Sequence, residues 1–151
     1  MADNYHLSYH EILTKVNNKK DKKGKIEVLH RYDTNELRMF LKGAFDDKLE
    51  WLLPAGSPPY KPNGAPLGTE HTWLKQEVKR MFHFLKGGNP KLSQMKRDNM
   101  FIQMLEGLSE EEAKLLVWAK DNELNKHYKG LTSNLVREAF GWDENFMRIN
   151  K

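Results

Sequence analysis

The residues of this chain best suited to chemistry are cations gathered in two segments. Between residues 75 and 97, seven Lys and Arg residues oppose a single acid, which gives a formal charge of +6. Between residues 15 and 31, seven cations oppose two acids, for a charge of +5. Cations spaced along a surface neutralise successive phosphates, and lysine suits point-charge contact better than base readout. Both segments therefore predict contact with a nucleic-acid backbone.

The most regular cations lie on a helix predicted over residues 71–85. At about 100° per residue, Lys75, Lys79 and Lys86 project within roughly 40° of one another, beside the apolar face. The full set of candidate phosphate contacts is Lys75, Lys79, Arg80, Lys86, Lys91, Lys96 and Arg97, with Lys19, Lys20, Lys22 and Lys23 as a second group. The alternative interpretation is that these lysines only solvate helix faces.

Large aromatic residues favour a rival, protein-directed function. Trp and Tyr are the residues that anchor protein interfaces, and a core of this size does not easily cover all of them. The candidate protein contacts are Trp51, Tyr60, Trp118 and Trp142. Trp118 lies in the acidic segment 98–123, whose formal charge is −5, and Trp142 lies in the C-terminal tail. These two tryptophans are expected to be the most exposed, although burial is the alternative for each.

Carboxylates and histidines form no persuasive catalytic or metal-binding pattern. Asp46, Asp47 and Glu50 resemble a Mg²⁺ set, but an acidic turn before a helix explains them better. His6 and His10 are four residues apart without a third ligand at a telling spacing. Stabilisation by a helix N-terminus accounts for the acidic run 110–112.

Several classes of enzyme are excluded by the residues that are absent. The chain has no cysteine, which excludes thiol nucleophiles, disulfides and Cys-ligated metals. Neither the phosphate-loop spacing nor the Gly-x-Ser-x-Gly motif occurs. We expect a non-enzymatic protein that uses no metal and no cofactor.

Helical periodicity predicts an all-α fold of six or seven short helices in one compact domain. Capping residues predict helix starts at Ser8, Thr34, Ser109 and Thr132. Further helices are expected over 22–32 and 91–106, and a single helical turn over 47–53. The helix 71–85 is expected to bury Leu74, Val78, Met81, Phe82 and Leu85, and the helix 91–106 to bury Met95. Gly43 lies inside a helix, where a close crossing would explain it.

A proline-rich connector separates two helical halves. Five of the six prolines lie between residues 54 and 66, where they prevent a helix or a central strand from continuing. Apolar anchors at Trp51, Leu52, Leu53 and Tyr60 indicate that the connector packs across a core or offers a pocket. The predicted layout is one domain over 1–151: helices over 8–53, connector 54–70, helices over 71–140 and a tail over 141–151.

The last predicted helix, 132–140, invites comparison with a helix-turn-helix motif. The connection of residues 121–132 is too long for the usual turn of three or four residues. Packing of the apolar face of this helix in the core is the favoured interpretation.

Several stretches of the sequence, taken in order, resemble a family of small, functionally uncharacterised proteins of T-even-type tailed phages, including cyanophages. They are LKGAFDD at 41–47, LLPAGSPPYKPN at 52–63, FLKGGNP at 84–90 with LSQ at 92–94, YKGLT at 128–132 and LVREAF at 135–140. The resemblance covers most of residues 8–140. It implies a phage-encoded protein made in the host bacterial cytoplasm, and it carries over no activity and no catalytic residue.

Three non-enzymatic functions are open at this point, and a metal-dependent nuclease acting through Asp46 and Asp47 is the last alternative. The leading hypothesis is a nucleic-acid-associated phage factor for replication, transcription or host takeover, acting through segments 15–31 and 75–97. The alternative is an inhibitor or adaptor that binds a host enzyme, polymerase or defence protein. A further alternative is a minor virion component. No run of apolar residues is long enough to cross a bilayer, so no membrane partner is expected.

Overall fold

A computed structural model describes residues 7–46, 48–63 and 72–141. The helices, in chain order, are α1 Tyr9–Asn18, α2 Lys22–Arg31, α3 Asn35–Phe45, α4 Leu74–Glu77, a 3₁₀ helix Val78–Phe84, α5 Gln94–Gly107, α6 Glu110–Lys120, α7 Leu124–His127 and α8 Ser133–Phe140. Within these ranges the only extended pairings are three isolated β-bridges. The all-α prediction is confirmed.

Polar side chains at six helix starts explain where the chain becomes helical. Each accepts a hydrogen bond from a backbone N–H of the first turn, which the helix itself leaves unsatisfied. They are Ser8, Asp21, Thr34, Ser93, Ser109 and Thr132. The cap of α1 is reciprocal, because the Glu11 carboxylate also accepts the Ser8 N–H at 2.8 Å. The four predicted helix starts are confirmed.

Helix α6 lies at the centre of the packing. It contacts α1 and α3 from the N-terminal half and α5 and α7 from the C-terminal half, while α8 packs on α2 and α3. The two halves therefore share one core, which includes the fully buried Phe40, Phe84 and Phe101. No helix in the described ranges is long and apolar enough to cross a membrane.

The predicted continuous helix over 71–85 is wrong. Within its described part, the four residues of α4 pass directly into the 3₁₀ helix. A 3₁₀ helix has three residues per turn, so Val78, Met81 and Phe84 point inward together and are buried. Phe82, predicted in the core, is 46% exposed. The alignment of lysines worked out for an α-helix does not apply to this segment.

Two smaller expectations also fail, and the structure contains one additional helix. Residues 48–53 form no helical turn, since Trp51 pairs with Leu85 in an antiparallel bridge. Met95 is 75% exposed, because α5 turns Arg97 inward instead. The short helix α7 was not predicted at all.

Gly43 does mark a close approach, as predicted. A Cβ at this position would lie 2.9 Å from Met81 Cε and 3.2 Å from Trp51 Cζ2. The Trp51 indole also donates a hydrogen bond from Nε1 to the Gly43 carbonyl at 2.9 Å. The missing side chain therefore lets the 3₁₀ helix and Trp51, just before the connector, reach α3.

The connector is packed over its described part, residues 54–63. Leu53, directly before the connector, and Tyr60 within it lie against the core. Lys120, at the end of α6, donates from Nζ to the carbonyls of Pro54 at 2.8 Å and Gly56 at 3.0 Å. The Gly56 N–H in turn donates to Asp121 Oδ2 at 3.1 Å. A buried ammonium and its neighbouring carboxylate thus hold the connector on α6.

A buried carboxylate joins the two halves. Glu112 is 1% exposed, and its oxygens accept the N–H groups of Tyr9 and Leu74, both at 2.8 Å. These residues begin α1 and α4, so one side chain satisfies an otherwise free N–H at each helix start. Burial raises the pKa of Glu112 above its ordinary value, against the opposing effects of the two N–H groups and Lys75. Only the first two acids of the run 110–112 remain exposed.

Candidate nucleic-acid interface

Arg97, one of the predicted phosphate contacts, is a buried structural residue. It is 5% exposed. Its guanidinium donates to the carbonyl of His83 at 2.9 Å, to Gln94 Oε1 at 3.0 Å, and to the carbonyls of Leu92 at 3.1 Å and Asn89 at 3.3 Å. Because these acceptors occupy the planar fork of donors, Arg97 is removed from the phosphate-binding set. Its role is to hold residues 83–94 together.

Phe82 and His83 form an aromatic pair next to the backbone that Arg97 binds. The Phe82 and His83 rings lie 4.0 Å apart between centroids, inclined by 35°. The side-chain amide of Asn89 lies 3.0 Å from His83 Nδ1, which fixes the imidazole against the following loop. An exposed aromatic ring such as Phe82 in a basic segment is the kind of surface that stacks unpaired bases. The spacing of Val78, Met81 and Phe84 is the sequence signal that would have placed Phe82 outside.

Two glycines bring the following loop back onto this pair. Gly87 has φ +88°, which disfavours any residue with a side chain. A Cβ at Gly88 would lie 2.8 Å from the Phe82 carbonyl carbon, so the loop crosses directly over that peptide. From the sequence alone, Gly87 and Gly88 are expected only to end the preceding helix. The structure adds that Gly88 sets the distance between the aromatic pair and the loop.

Three candidate lysines follow the aromatic pair along the chain, two on the loop and one in the first turn of α5. We call Lys86, Lys91 and Lys96 the basic loop; all three are exposed. Lys86 lies 3.7 Å from Glu50, and both side chains are more than half exposed, so that surface pair contributes little. The backbone of the loop is tied to Arg97 through the carbonyls of residues 89 and 92.

The other candidate cations around the 3₁₀ helix differ in their surroundings. Lys79 and Arg80 are exposed. Arg80 forms an ion pair with Glu77 at 2.9 Å. Lys75 is half-buried, and its ammonium lies 5.3 Å from the centroid of the Trp73 ring. These residues lie on α4 and the 3₁₀ helix and do not form the single stripe that an α-helix would have produced.

The second basic group lies elsewhere in the fold. Lys19, Lys20, Lys22 and Lys23 are all exposed at the turn between α1 and α2. Lys22 forms an ion pair with Glu138 of α8 at 3.0 Å. Helix α2 packs on α1 and α8, whereas the 3₁₀ helix packs on α3 and α5. The structure therefore does not merge the two predicted basic segments into one site.

Two of the predicted protein contacts share a groove. Trp51 and Trp118 both line a cavity of about 720 Å³ between residues 48–57 and the end of α6. Trp118 is half-buried and stacks on His127 with ring centroids 3.6 Å apart. Tyr60 packs against the core away from this groove, and burial with nearby Glu110 raises its pKa. Trp142 lies outside the described residues.

The acidic cluster does not assemble into a metal site in the described ranges. Asp46 is buried, forms an ion pair with Lys42 at 3.4 Å and accepts the Lys48 N–H at 2.9 Å. Asp47 and His6 lie outside the described residues. No group of three or more His, Asp or Glu side chains placed to hold a metal occurs among the residues that the structure describes.

A protein-family model described as a family of unknown function (DUF6433) matches residues 12–126. The match therefore begins within α1, includes α2 to α6, the connector and the basic loop, and ends within α7. No curated protein and no solved structure shows a significant match to the chain.

Proposed function

Since the chain belongs to the family of unknown function DUF6433, we propose from its own surface that it is a non-enzymatic protein that binds single-stranded nucleic acid. The observation that carries the proposal is the exposed Phe82 ring, paired with the half-buried His83. The buried Arg97 ties this segment to the loop that carries Lys86 and Lys91. The stretches that resemble proteins of T-even-type phages support a role in phage replication, transcription or host takeover in the cytoplasm of an infected bacterium.

The proposed division of labour follows from the chemistry of each group. Lys86, Lys91 and Lys96 neutralise backbone phosphates, which supplies affinity that falls steeply as salt rises. The Phe82 ring stacks on a base, and stacking contributes about 1–3 kcal/mol per base. Bases in a duplex are already stacked, so the aromatic contact favours a single strand. Nothing in this arrangement reads base edges, and sequence preference is expected to be weak.

Fluorescence anisotropy with a labelled 20-nucleotide single strand tests the proposal directly. The triple variant K86E/K91E/K96E is compared with K114E/K126E/K129E, which changes the formal charge equally on other surfaces. We expect the first triple variant to lose binding at moderate salt and the second to retain most of it. Equal affinities for the two variants would contradict a localised interface.

Phe82→Ala and Phe82→Leu separate the contribution of base stacking to single-strand affinity from that of the phosphate contacts. Leucine keeps much of the apolar area but removes the flat ring, so both variants are expected to weaken single-strand binding by about tenfold. Binding to a matched duplex is expected to change little. If Phe82→Leu binds the single strand like the wild type, base stacking is not part of the mechanism.

A second candidate function rests on the groove that contains Trp51 and Trp118. Here we propose an inhibitor or adaptor of a host or phage protein, because the groove brings two interface-type tryptophans together. Trp118→Ala leaves the Trp51 hydrogen bond to Gly43 intact and is the cleaner variant. A protein captured from infected cells after nuclease treatment, lost with Trp118→Ala and retained by K86E/K91E/K96E, would favour this function.

A further inference from the structure

We infer that a cavity of about 360 Å³, bounded by α1, the α2–α3 connection and the start of α4, binds a small phosphate ester of nucleoside monophosphate size. The cavity lies apart from the basic loop, and the inference does not depend on single-strand binding. Its volume falls in the range of small-ligand pockets. Its walls combine cationic, aromatic and apolar side chains with one unsatisfied buried hydroxyl.

The unsatisfied hydroxyl belongs to Tyr9. Within the described part of the chain it is the buried side-chain polar atom that has no hydrogen-bond partner, although the residue is only 2% exposed. Burial raises the pKa of this phenol, and nearby Glu36 adds to the rise. The Thr34 hydroxyl lies near enough to oppose the rise, but its oxygen already accepts the Leu37 N–H at 3.0 Å and it makes no well-formed hydrogen bond to Tyr9. Both of those neighbours line the cavity together with Tyr9. A ligand oxygen there would supply the bond whose absence costs free energy.

The charges around the cavity favour an anion. Arg31, Lys75 and Lys79 line it, against the two acids Asp33 and Glu36. The Asp33 carboxylate is already bound by the guanidinium of Arg38, from Nη2 at 2.6 Å and from Nε at 2.7 Å. Three cations and two acids thus line the cavity, and one of those acids is already engaged by Arg38, which suits recognition of a phosphate.

The remaining walls suit the nucleoside part. Leu7, Ile12 and the half-buried ring of Tyr32 offer apolar and aromatic surface to a base. The Glu36 carboxylate offers an acceptor for a ribose hydroxyl or an exocyclic amino group. A phosphate alone would leave these walls unused, and an uncharged nucleoside would leave the cations unused.

Isothermal titration calorimetry with the four nucleoside 5′-monophosphates, the uncharged nucleosides and inorganic phosphate tests the assignment. We expect at least one monophosphate to bind saturably, and its nucleoside and inorganic phosphate to bind at least about tenfold more weakly, because each loses one class of contact. Absence of saturable binding for all four would overturn the proposal. Inorganic phosphate binding as tightly as the monophosphates would overturn the nucleoside part.

Tyr9→Phe is the decisive variant because it removes only the hydroxyl. We expect about tenfold weaker monophosphate binding, with thermal stability unchanged or raised since no native hydrogen bond is lost. Unchanged affinity in this variant would overturn the role of the hydroxyl.

The cations of the cavity are tested separately. Lys79→Ala should also weaken monophosphate binding, whereas Lys129→Ala, which changes another exposed lysine, should not. K86E/K91E/K96E should keep monophosphate binding while losing the single strand, so the two proposals fail separately.

Discussion

The guanidinium of Arg97 donates from Nε to the main-chain carbonyl of His83 at 2.9 Å, across 14 residues of sequence. The same group holds the carbonyls of Asn89 and Leu92. Arg97, although it belongs to a strongly basic segment, thus has a structural role. It positions the backbone that carries the aromatic pair and the loop lysines. A count of charge along the chain does not distinguish these two uses.

Replacing Arg97 should damage stability as well as binding. Arg97→Lys keeps the charge but cannot reach several carbonyls with a planar fork, so buried acceptors lose their donors. We expect the free energy of unfolding to fall by about 2 kcal/mol, measured by urea denaturation. The adjacent exposed Lys96→Ala should stay within about 0.5 kcal/mol of the wild type. Equal stability of Arg97→Lys and the wild type would mean that the loop does not depend on the fork.

Glu112→Gln tests the carboxylate that joins the two halves. The amide provides one acceptor oxygen and one NH₂ group, so one of the two N–H groups at Tyr9 and Leu74 loses its partner. We expect a loss of about 1–3 kcal/mol at neutral pH, measured by thermal or urea unfolding. Glu111→Gln, exposed on the same helical turn, is the control and should change stability little.

The contribution of Glu112 to the free energy of unfolding should change with pH in a defined direction. Because the pKa of Glu112 is raised in the folded state, the folded protein binds more protons than the unfolded chain between the ordinary value of 4.5 and the folded value. The contribution of Glu112 to stability should therefore decrease as pH rises through that window and then level off. The difference in unfolding free energy between wild type and Glu112→Gln, followed from acid to neutral pH, measures it. A difference that grows with rising pH would contradict the raised pKa.

Lys120→Met should release the connector. The substitution removes the ammonium that binds the carbonyls of Pro54 and Gly56 and leaves the Asp121 carboxylate without its cation. We expect a loss of about 3 kcal/mol and faster proteolytic cleavage near Gly56, mapped by mass spectrometry. Lys114→Met, on the exposed face of the same helix, should show neither effect. Protection of the connector in both variants would show that its apolar anchors are sufficient.

Gly43→Ala should destabilise the protein even though alanine favours helices. The added methyl group would meet Met81 Cε and Trp51 Cζ2 at distances shorter than normal packing allows. Overpacking costs about 1–3 kcal/mol, against a gain of about 1 kcal/mol from helix propensity. We expect a net loss of stability together with a changed emission of Trp51. A more stable Gly43→Ala would mean that the methionine end moves aside freely.

The sequence by itself determined the helical class and most of the helix starts. Ser8, Thr34, Ser109 and Thr132 form their caps with residues of the next turn, so the information is local and can be read along the chain. The same holds for the apolar spacing of α3 and for the connector, where prolines limit the backbone and Leu53 and Tyr60 supply anchors. Gly43 could also be interpreted correctly, because a glycine inside a strong helical pattern needs a packing reason.

Only the tertiary structure decided which polar and aromatic residues are inside. Arg97, Glu112 and Lys120 are buried because distant backbone groups supply their partners, and no spacing along the sequence encodes those partners. Phe82 turns outward because the chain tightens into a 3₁₀ helix against α3 and α5. The groove shared by Trp51 and Trp118, and the cavity beside Tyr9, arise where segments far apart in sequence meet. Local rules determine elements, whereas sites depend on how those elements pack.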